Sequence, residues 1–171
     1  MNKKPRTIRF RRKKEGKTDY KKRLKLLLSG KPRLVVRPSL KNIRAQIATA
    51  EKVGDKIMIS SHSNELKKLG WKYNTGNIPS AYLTGLLTAK KSVKAGIKEA
   101  ILDIGLRKPV KGSKLFACLK GAIDGGLKIP FSETILPSEE RIKGEHIAKQ
   151  IENSKDMPKI FEDIKKKILS E

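Results

Sequence analysis

Three short β-type runs followed by a long helical run constrain the fold of this chain more than any other feature. The runs are RLVVR at residues 33–37, IRAQIATA at 43–50 and KIMIS at 56–60. The first is rich in β-branched residues, and the second alternates between apolar and polar positions, as a half-buried strand does. Turn residues separate the runs, so they predict an antiparallel meander with one face on a core.

A long helix, a fourth strand and a second helix are predicted after the meander. Asn77 is a good N-cap, Pro79 lies in the first turn, and an apolar face follows at Tyr82, Leu86, Ala89, Val93 and Ile97. The apolar run at 100–104 predicts a strand buried on both faces, and another helix starts near Ser113. A helix that connects two strands implies a parallel pair. The expected fold class is therefore α/β, with a mixed four-stranded sheet (the three-strand meander plus one parallel strand) and helices packed on it.

The regions outside this core have their own patterns. Residues 1–17 lack apolar periodicity and predict an extended arm. Thr18 or Asp19 can cap a short helix whose apolar stripe contains Tyr20, Leu24, Leu27 and Leu28. Two short amphipathic helices are predicted after Pro130, one from RIKGEHIAKQI and one from PKIFEDIKKKIL, whose apolar stripe contains Phe161, Ile164 and Ile168. We therefore expect a basic N-terminal arm with its short helix at 1–32, an α/β core domain at 33–130 and a helical C-terminal extension at 131–171.

The positive charge of the chain is large and unevenly distributed. It has 41 Lys and Arg against 17 Asp and Glu, a formal net charge of +24. Residues 1–25 carry 13 Lys and Arg against two acidic residues, whereas residues 132–171 carry 8 against 9. Such a density of like charge repels itself, and a polyanion relieves that repulsion. Because 37% of the residues are hydrophobic, the chain can still form a core. We expect a folded protein that binds nucleic acid.

Other classes of protein fit the sequence less well. It has no apolar run of membrane-spanning length and no apolar stretch behind its charged first residues, so we expect an intracellular protein. The four-residue stripe of the short helix is too small for a stable membrane anchor. A single cysteine, Cys118, excludes an internal disulfide. We expect neither a membrane partner nor a small-molecule substrate.

The glycine-containing loop after the fourth strand is similar to a nucleotide-binding loop only in outline. Six residues separate Gly105 from Gly112, where the P-loop has four, and Ser113-Lys114 stands where Lys and then Ser or Thr would follow. Basic side chains near a helix N-terminus can still bind a backbone phosphate. The candidates in this loop are Arg107, Lys108, Lys111 and Lys114.

Catalytic residues are not grouped in the sequence. His62 and His146 are the only histidines, and no His or Cys pair has the spacing of metal ligands. Asp103 could act as a nuclease carboxylate but lacks the further carboxylates that metal-dependent chemistry needs. Cys118 is more typical of a buried thiol. We expect no enzyme activity, no cofactor and no metal site.

Two loops offer residues for RNA contacts. The hairpin between the first two strands carries basic and polar side chains that either lie on a nucleic-acid backbone or form a solvated face. Trp71 and Tyr73 could stack on unpaired bases, although Trp71 fits the edge of the core better. Lys72, beside them, is a candidate for a phosphate contact. No helix-turn-helix, zinc-finger or basic-zipper pattern is present. A general nucleic-acid-binding protein, chromatin-like or an RNA chaperone, nevertheless remains the alternative.

Three blocks of sequence resemble a known family. KTDYKKRLKLLLSGKPRLVVRPSLKNIRAQ, NTGNIPSAYLTGLL and ILDIGL, in this order, are similar to the large-subunit ribosomal protein L-eighteen family in its archaeal and eukaryotic form. The resemblance implies a cytoplasmic protein of the large ribosomal subunit. It would bind 5S rRNA in the central protuberance and help attach it to the 23S-type rRNA. Neighbouring large-subunit proteins are further implied partners.

The resemblance also implies which residues contact RNA. The arm contacts would be Arg6, Arg9, Arg11, Arg12, Lys13 and Lys14, and Lys17 lies in the same arm. The short helix would contribute Thr18, Tyr20 and Arg23. The hairpin motif matches Arg33, Arg37, Lys41, Asn42, Arg44 and Gln46. The turn before the long helix matches Thr75, Gly76 and Asn77. For residues 132–171 the resemblance supplies no tight motif, and either protein neighbours or a second RNA surface would suit them.

Overall fold

A four-stranded mixed sheet lies at the centre of the molecule. The structure, a computed structural model, describes residues 8–52 and 54–170. The strands are β1 (Arg33–Pro38), β2 (Ile43–Ala50), β3 (Asp55–His62) and β4 (Ile101–Asp103), in the spatial order β3-β2-β1-β4. β1 pairs antiparallel with β2 and parallel with β4, and β2 pairs antiparallel with β3. The predicted α/β class and the predicted mixed sheet are confirmed.

Helices precede, interrupt and follow the sheet. In chain order, those of the described residues are α1 (Arg11–Lys14), α2 (Tyr20–Leu27), α3 (Glu65–Lys68), α4 (Ile78–Lys94), α5 (Lys114–Asp124), α6 (Glu139–Lys143), α7 (Glu145–Gln150) and α8 (Met157–Ser170). Short 3₁₀ turns occupy Glu133–Ile135 and Glu152–Ser154. Within the described ranges, no helix has the length and apolar composition that a membrane crossing requires.

The main core lies between the sheet and the pair α4 and α5. Asn77 caps α4, because its Oδ1 accepts a hydrogen bond of 2.9 Å from the Ser80 amide. Glycines allow the two helices to touch backbone to backbone: a Cβ at Gly85 would lie 2.0 Å from the carbonyl oxygen of Cys118. The sheet contributes mainly aliphatic side chains to this core, including Leu34, Val36, Ile43, Ala45 and Ile47.

A second core lies on the other side of α4 and involves the C-terminal helices. Phe161, Ile164 and Ile168 of α8 are buried against a cluster that includes Tyr82 of α4. The predicted apolar stripe of this last helix is therefore confirmed. The helix predicted from RIKGEHIAKQI is instead divided into α6 and α7, since Gly144 between them has φ +82°, a left-handed conformation that ends a helix.

Several predicted details of the core elements are wrong. α4 ends at Lys94, so Ile97 lies beyond the helix, and Val93 is exposed rather than on the inner face. β4 forms an edge of the sheet, and its Ile101 and Leu102 are only half-buried, so it is not a strand covered on both faces. The apolar run suggested two covering layers, but the open face of this sheet has only partial cover.

The N-terminal segment also differs from its prediction. Within the expected extended arm, Arg11–Lys14 form the helical turn α1. α2 begins where predicted, with Asp19 as its cap. Only half of the predicted apolar stripe faces the protein, because Tyr20 and Leu27 are half-buried whereas Leu24 and Leu28 are 59% and 77% exposed. The side of α2 that is partly covered contains Tyr20, Arg23, Leu26 and Leu27.

Candidate nucleic-acid interface

The face of the sheet opposite α4 and α5 is polar. Side chains alternate along β1, so Leu34 and Val36 enter the core while Arg33, Val35 and Arg37 lie on the other face. Directly paired residues share a face, and the register pairs Arg37 with Arg44 of β2 and Val35 with Gln46. Arg37, Arg44 and Gln46 of the predicted hairpin motif therefore lie side by side on this face, and Arg33 lies on the same face. Lys41 and Asn42 lie in the turn between β1 and β2, where Asn42 Oδ1 contacts Thr75.

A positively charged cleft separates α2 from this polar face. It has a volume of about 760 Å³ and is bounded by α2, β1, the start of β3 and the segment after β4. Seven basic side chains and three acidic ones line it: Arg12, Lys17, Lys22, Arg23, Arg33, Arg37 and Arg107, with Asp19, Asp55 and Asp103. A concave surface with an excess of positive charge attracts phosphate groups.

Alternating arginines and aspartates cross the floor of the cleft. Arg23 of α2 donates two hydrogen bonds to the carboxylate of Asp55, at 2.7 and 2.8 Å. Arg33 lies between the two aspartates: its Nη2 is 2.6 Å from Asp55 Oδ1, and its Nη1 donates to Asp103 Oδ2 at 2.9 Å. Arg37 donates to the Asp103 carbonyl oxygen at 2.8 Å and to its Oδ1 at 3.3 Å. We call these five residues the arginine–aspartate chain.

The burial of Arg33 explains why the arginine–aspartate chain contains acidic residues. Arg33 is 1% exposed, and an arginine that is removed from water requires acidic partners. Its contact with Asp55 is an ion pair without an aligned hydrogen bond, since Nε and Nη2 of Arg33 have no acceptor in line. The hydrogen bonds from Arg23 are the main cause that lowers the pKa of Asp55 to about 2. The same bonds raise the pKa of Arg23.

The arm is joined to α2 by a few specific contacts. Arg12 Nε donates to Thr18 Oγ1 at 2.9 Å, and the rings of Phe10 and Tyr20 lie 5.0 Å apart. Lys17 forms an ion pair of 2.9 Å with Glu15. The other described basic residues of the arm are exposed: Arg9, Arg11, Lys13 and Lys14. Arg6 lies outside the described residues. The contacts of Thr18 and Tyr20 thus connect the arm to α2.

The turn before α4 supports the hairpin from behind. Thr75 Oγ1 lies 2.8 Å from both the Lys41 carbonyl oxygen and Asn42 Oδ1. A Cβ on Gly76 would lie 2.6 Å from a backbone carbonyl oxygen of the hairpin turn, so only glycine fits. Asn77 then caps α4. These three turn residues place Lys41 and Asn42 relative to α4, and Thr75 and Gly76 are themselves buried.

The remaining candidates do not all belong to the cleft. Lys72 is exposed beside Trp71, which is 2% exposed in the second core, so the core interpretation of that tryptophan is confirmed. Arg107 lines the cleft and donates to the carbonyl oxygen of Pro38. The other basic residues of its loop lie outside the cleft lining, and all but the half-buried last one are exposed: Lys108, Lys111 and Lys114.

Sequence reasoning missed three residues of the cleft. Lys22 Nζ donates to the Gly105 carbonyl oxygen at 3.2 Å, which ties α2 to the end of β4. Asp55 follows Gly54 in a turn-type sequence, and Asp103 is the only carboxylate of the apolar run at 100–104, so neither local pattern identifies an arginine partner. A signal for Asp103 was available, because a carboxylate in an apolar strand needs a buried cation. Arg33 and Arg37, four residues apart on a neighbouring strand, share the face that supplies it.

Two residues weighed as reactive groups have structural roles. Cys118 is buried in α5, and burial raises the pKa of its thiol to about 12, so the thiol stays protonated. His62 accepts a hydrogen bond at Nδ1 from the Asn64 amide, 3.2 Å away, and helps form the turn before α3.

Comparison with known proteins identifies the family. A family model described as "Ribosomal large subunit proteins 60S L5, and 50S L18" matches residues 5–99 and 94–132. The large ribosomal subunit protein uL18 of Methanoregula boonei is 52% identical, over 92% of this chain and 90% of that protein. The protein of the same name from Methanococcus maripaludis is 46% identical, over 95% of each chain. This chain belongs to the uL18 family.

Family membership establishes the general role of the protein. It is a structural protein of the large ribosomal subunit, and it is not an enzyme. As a ribosomal component it resides in the cytoplasm, binds rRNA and takes part in translation. The resemblance to the L-eighteen family in its archaeal form is confirmed.

Proposed function

We propose that this protein binds 5S rRNA and helps attach it to the 23S-type rRNA in the central protuberance. The observation that carries the proposal is the basic cleft between α2 and the polar sheet face. Its lining brings together residues from the arm, α2, the hairpin strand and the loop after β4. Segments that are far apart in sequence thus form one surface with the charge that an RNA backbone requires.

Two kinds of contact would contribute to RNA binding, one mainly to affinity and the other mainly to selectivity. The exposed arm residues would neutralise phosphates, which supplies affinity with little dependence on sequence. The ordered surface formed by Arg37, Lys41, Arg44 and Gln46 would select RNA of a particular shape. Arg33 is too deeply buried for a direct contact, so we assign it the task of holding the cleft together.

The three predicted parts of the chain would serve different partners. Residues 1–32 and the core at 33–130 would form the 5S rRNA interface. Within the core, Lys72, Lys108, Lys111 and Lys114 lie outside the cleft lining and would suit the 23S-type rRNA, whereas Arg107 lines the cleft and would belong to the 5S rRNA interface. The C-terminal extension at 131–171 is near neutral and would face neighbouring large-subunit proteins.

Binding of the purified protein to 5S rRNA at several salt concentrations tests the proposal. A transfer RNA and a DNA duplex of similar size serve as competitors. We expect 5S rRNA to remain bound near physiological salt in the presence of excess competitor, because the ordered face adds shape-specific contacts that the competitors do not match.

The opposite result would favour a general nucleic-acid-binding protein. If all three nucleic acids bind alike and dissociate together as the salt concentration rises, the protein alone acts only as a polycation. Limited proteolysis provides a second measurement. We expect 5S rRNA to protect residues 1–17 from cleavage, and equal cleavage with and without RNA would contradict the role of the arm.

A further inference from the structure

The two aspartates of the arginine–aspartate chain lie where simple electrostatics would exclude them. Asp55 and Asp103 line a cleft whose proposed ligand is a polyanion. Each carboxylate repels a phosphate that enters the cleft, so a surface selected only for positive charge would lack both. Neutralisation of the buried Arg33 offsets part of this repulsion, and each carboxylate makes a second contribution through its contact with another arginine.

The contacts of Asp103 show what that contribution is. Its Oδ1 accepts hydrogen bonds from the Gly105 amide at 2.8 Å and from Arg37 at 3.3 Å. Arg37 also donates to the carbonyl oxygens of Asp103 and Val36, at 2.8 and 3.0 Å. A Cβ on Gly105 would lie 3.1 Å from the guanidinium carbon, so the glycine lets Arg37 lie flat against the end of β4.

Asp55 fixes a second arginine on the helix side of the cleft. The two hydrogen bonds between its carboxylate and Arg23 form a bidentate pair, the geometry that defines the direction of a guanidinium group most strongly. Asp55 also contacts the buried Arg33, which connects it to the floor of the cleft. The orientation of Arg23 is therefore determined by β1 and β3, not by α2 alone.

Both arginines keep donors for a ligand. A guanidinium group has five N–H donors. Arg23 uses two of them on Asp55, and Arg37 uses three on Asp103 and Val36, so three and two remain. Their side chains are 31% and 43% exposed, which leaves these donors accessible from the cleft.

We propose that Asp55 and Asp103 are positioning residues for the binding of RNA phosphates in the cleft. Asp55 holds Arg23 on the helix side of the cleft, and Asp103 holds Arg37 of β1 on the sheet side. The two guanidinium groups then have a fixed separation and direction before RNA arrives, so binding orders fewer side chains. This inference rests on the proposed RNA-binding function and adds which acidic residues it depends on.

The direction in which an aspartate substitution changes RNA affinity distinguishes this positioning role from a purely electrostatic effect. Replacing either aspartate by asparagine removes one negative charge from the cleft, which by charge alone should strengthen RNA binding a few-fold. If the carboxylates position the arginines, Asp55→Asn should instead weaken binding by roughly tenfold, because it disorders a phosphate contact. Asp103→Asn should weaken binding by less, because two of the three bonds from Arg37 go to backbone oxygens that remain. Affinities of the full chain for 5S rRNA and transfer RNA, at one salt concentration, provide this comparison.

Matched controls come from neighbouring exposed glutamates. Glu51→Gln removes the same charge in the loop before Asp55, and Glu99→Gln does so just before the strand of Asp103. Each glutamate is about half exposed and is paired with one lysine outside the cleft lining. We expect both control variants to bind RNA as tightly as the unmodified protein or slightly more tightly.

A double-mutant cycle distinguishes positioning from a general loss of structure. Asp55→Asn should weaken RNA binding in the unmodified protein but cause no loss, or a small gain from the removed charge, when Arg23→Ala is already present, since the loss acts through that arginine. A merely structural role would produce the same loss in both backgrounds. The cycle also serves if Asp103→Asn fails to fold, because Asp55 is 30% exposed and a substitution there is easier to tolerate.

The outcomes for the two proposals are separate. The preference of the unmodified protein for 5S rRNA over transfer RNA tests the proposed function. The direction in which the aspartate variants change affinity, for either RNA, tests the positioning role. Asp55→Asn binding that equals or exceeds that of Glu51→Gln would overturn the inference, as would an equal loss in the Arg23→Ala background.

Discussion

The helices α2 and α8, near the two ends of the chain, pack on the central α/β domain by different kinds of contact. α2 lies on the polar face of the sheet and is held by the Arg23–Asp55 pair and the hydrogen bond from Lys22 to Gly105. α8 lies on α4 and is held by buried apolar side chains, among them Phe161 and Ile164. Ion pairs at a surface are screened by salt, whereas apolar contacts are not.

This difference suggests that RNA affects the two ends of the chain differently. RNA phosphates can accept hydrogen bonds from the donors that Arg23 leaves free, so RNA binding adds contacts at the N-terminal segment while the Arg23–Asp55 pair stays in place. The buried apolar side chains of α8 offer no such donors. We therefore expect RNA binding to add contacts at the N-terminal segment while leaving the C-terminal helices in place.

The largest expected effect comes from breaking the apolar contact. Phe161 is 1% exposed, and its ring lies 5.4 Å from that of Tyr82. Phe161→Ala should lower the free energy of unfolding by about 3–5 kcal/mol, measured by urea denaturation, because it leaves a cavity in the second core. Leu169→Ala, at an exposed position of the same helix, should change it by less than about 0.5 kcal/mol. Equal values for both variants would contradict the assignment of α8 as a packed element.

Removal of the arm should have the next largest effect, and on RNA binding rather than on folding. Residues 1–17 contain nine Lys and Arg and a single acidic residue, Glu15. If the six arm contacts that the resemblance implies are lost, the slope of log affinity against log salt should flatten by roughly four to five. Replacing the exposed C-terminal residues Lys159 and Lys166 by glutamine should leave that slope nearly unchanged. A similar flattening from these lysines would mean that charge acts regardless of its position.

The ordered sheet face should contribute selectivity more than affinity. Arg44 is exposed on β2, directly opposite Arg37 of β1. Arg44→Ala should reduce the preference for 5S rRNA over transfer RNA by about tenfold, because a lost shape-specific contact affects the cognate RNA most. Lys52→Ala, in the loop between β2 and β3, should weaken both RNAs alike. An unchanged preference in Arg44→Ala would remove this residue from the proposed site.

The smallest expected effect concerns the acid stability of the α2 contact. Because the folded-state pKa of Asp55, about 2, is lower than its usual value of 3.8, its ionisation stabilises the folded state above pH 3.8. That contribution is lost as the pH falls from about 4 to about 2. After allowance for solvent screening, it should amount to about 1 kcal/mol.

A comparison with Asp55→Asn measures this contribution. The stability difference between the unmodified protein and Asp55→Asn should shrink by about that amount between pH 5 and pH 2. A difference that stays constant over this range would show that the ion pair contributes no net stability.

Local patterns predicted most of the fold. The alternation in β2, the asparagine cap of α4 and the apolar stripe of α8 each follow from side chains close in sequence, and each is present. The errors occur where the environment of an element depends on segments that are distant in sequence. Leu24 and Leu28 have helical spacing, but the side of α2 that packs on the protein contains Arg23 and Leu26 instead, so the two leucines remain exposed. The apolar run around Ile101 suggested a central strand, but the strand order places β4 at an edge.

The sequence by itself determined that this is a folded, strongly basic protein with a mixed sheet, and its motifs pointed to the family. Charge and hydrophobic periodicity are properties of the amino-acid sequence itself, so they can be recognised without knowledge of the folded structure. Only the tertiary structure decided that Arg23, Arg33 and Arg37 share two aspartates, with the five residues drawn from α2, β1, β3 and β4. The parallel pairing of β1 with β4 brings Asp103 beside arginines about 70 residues away, and no local pattern records such a contact. The position of a buried charge depends on the partner that neutralises it, and the fold supplies that partner.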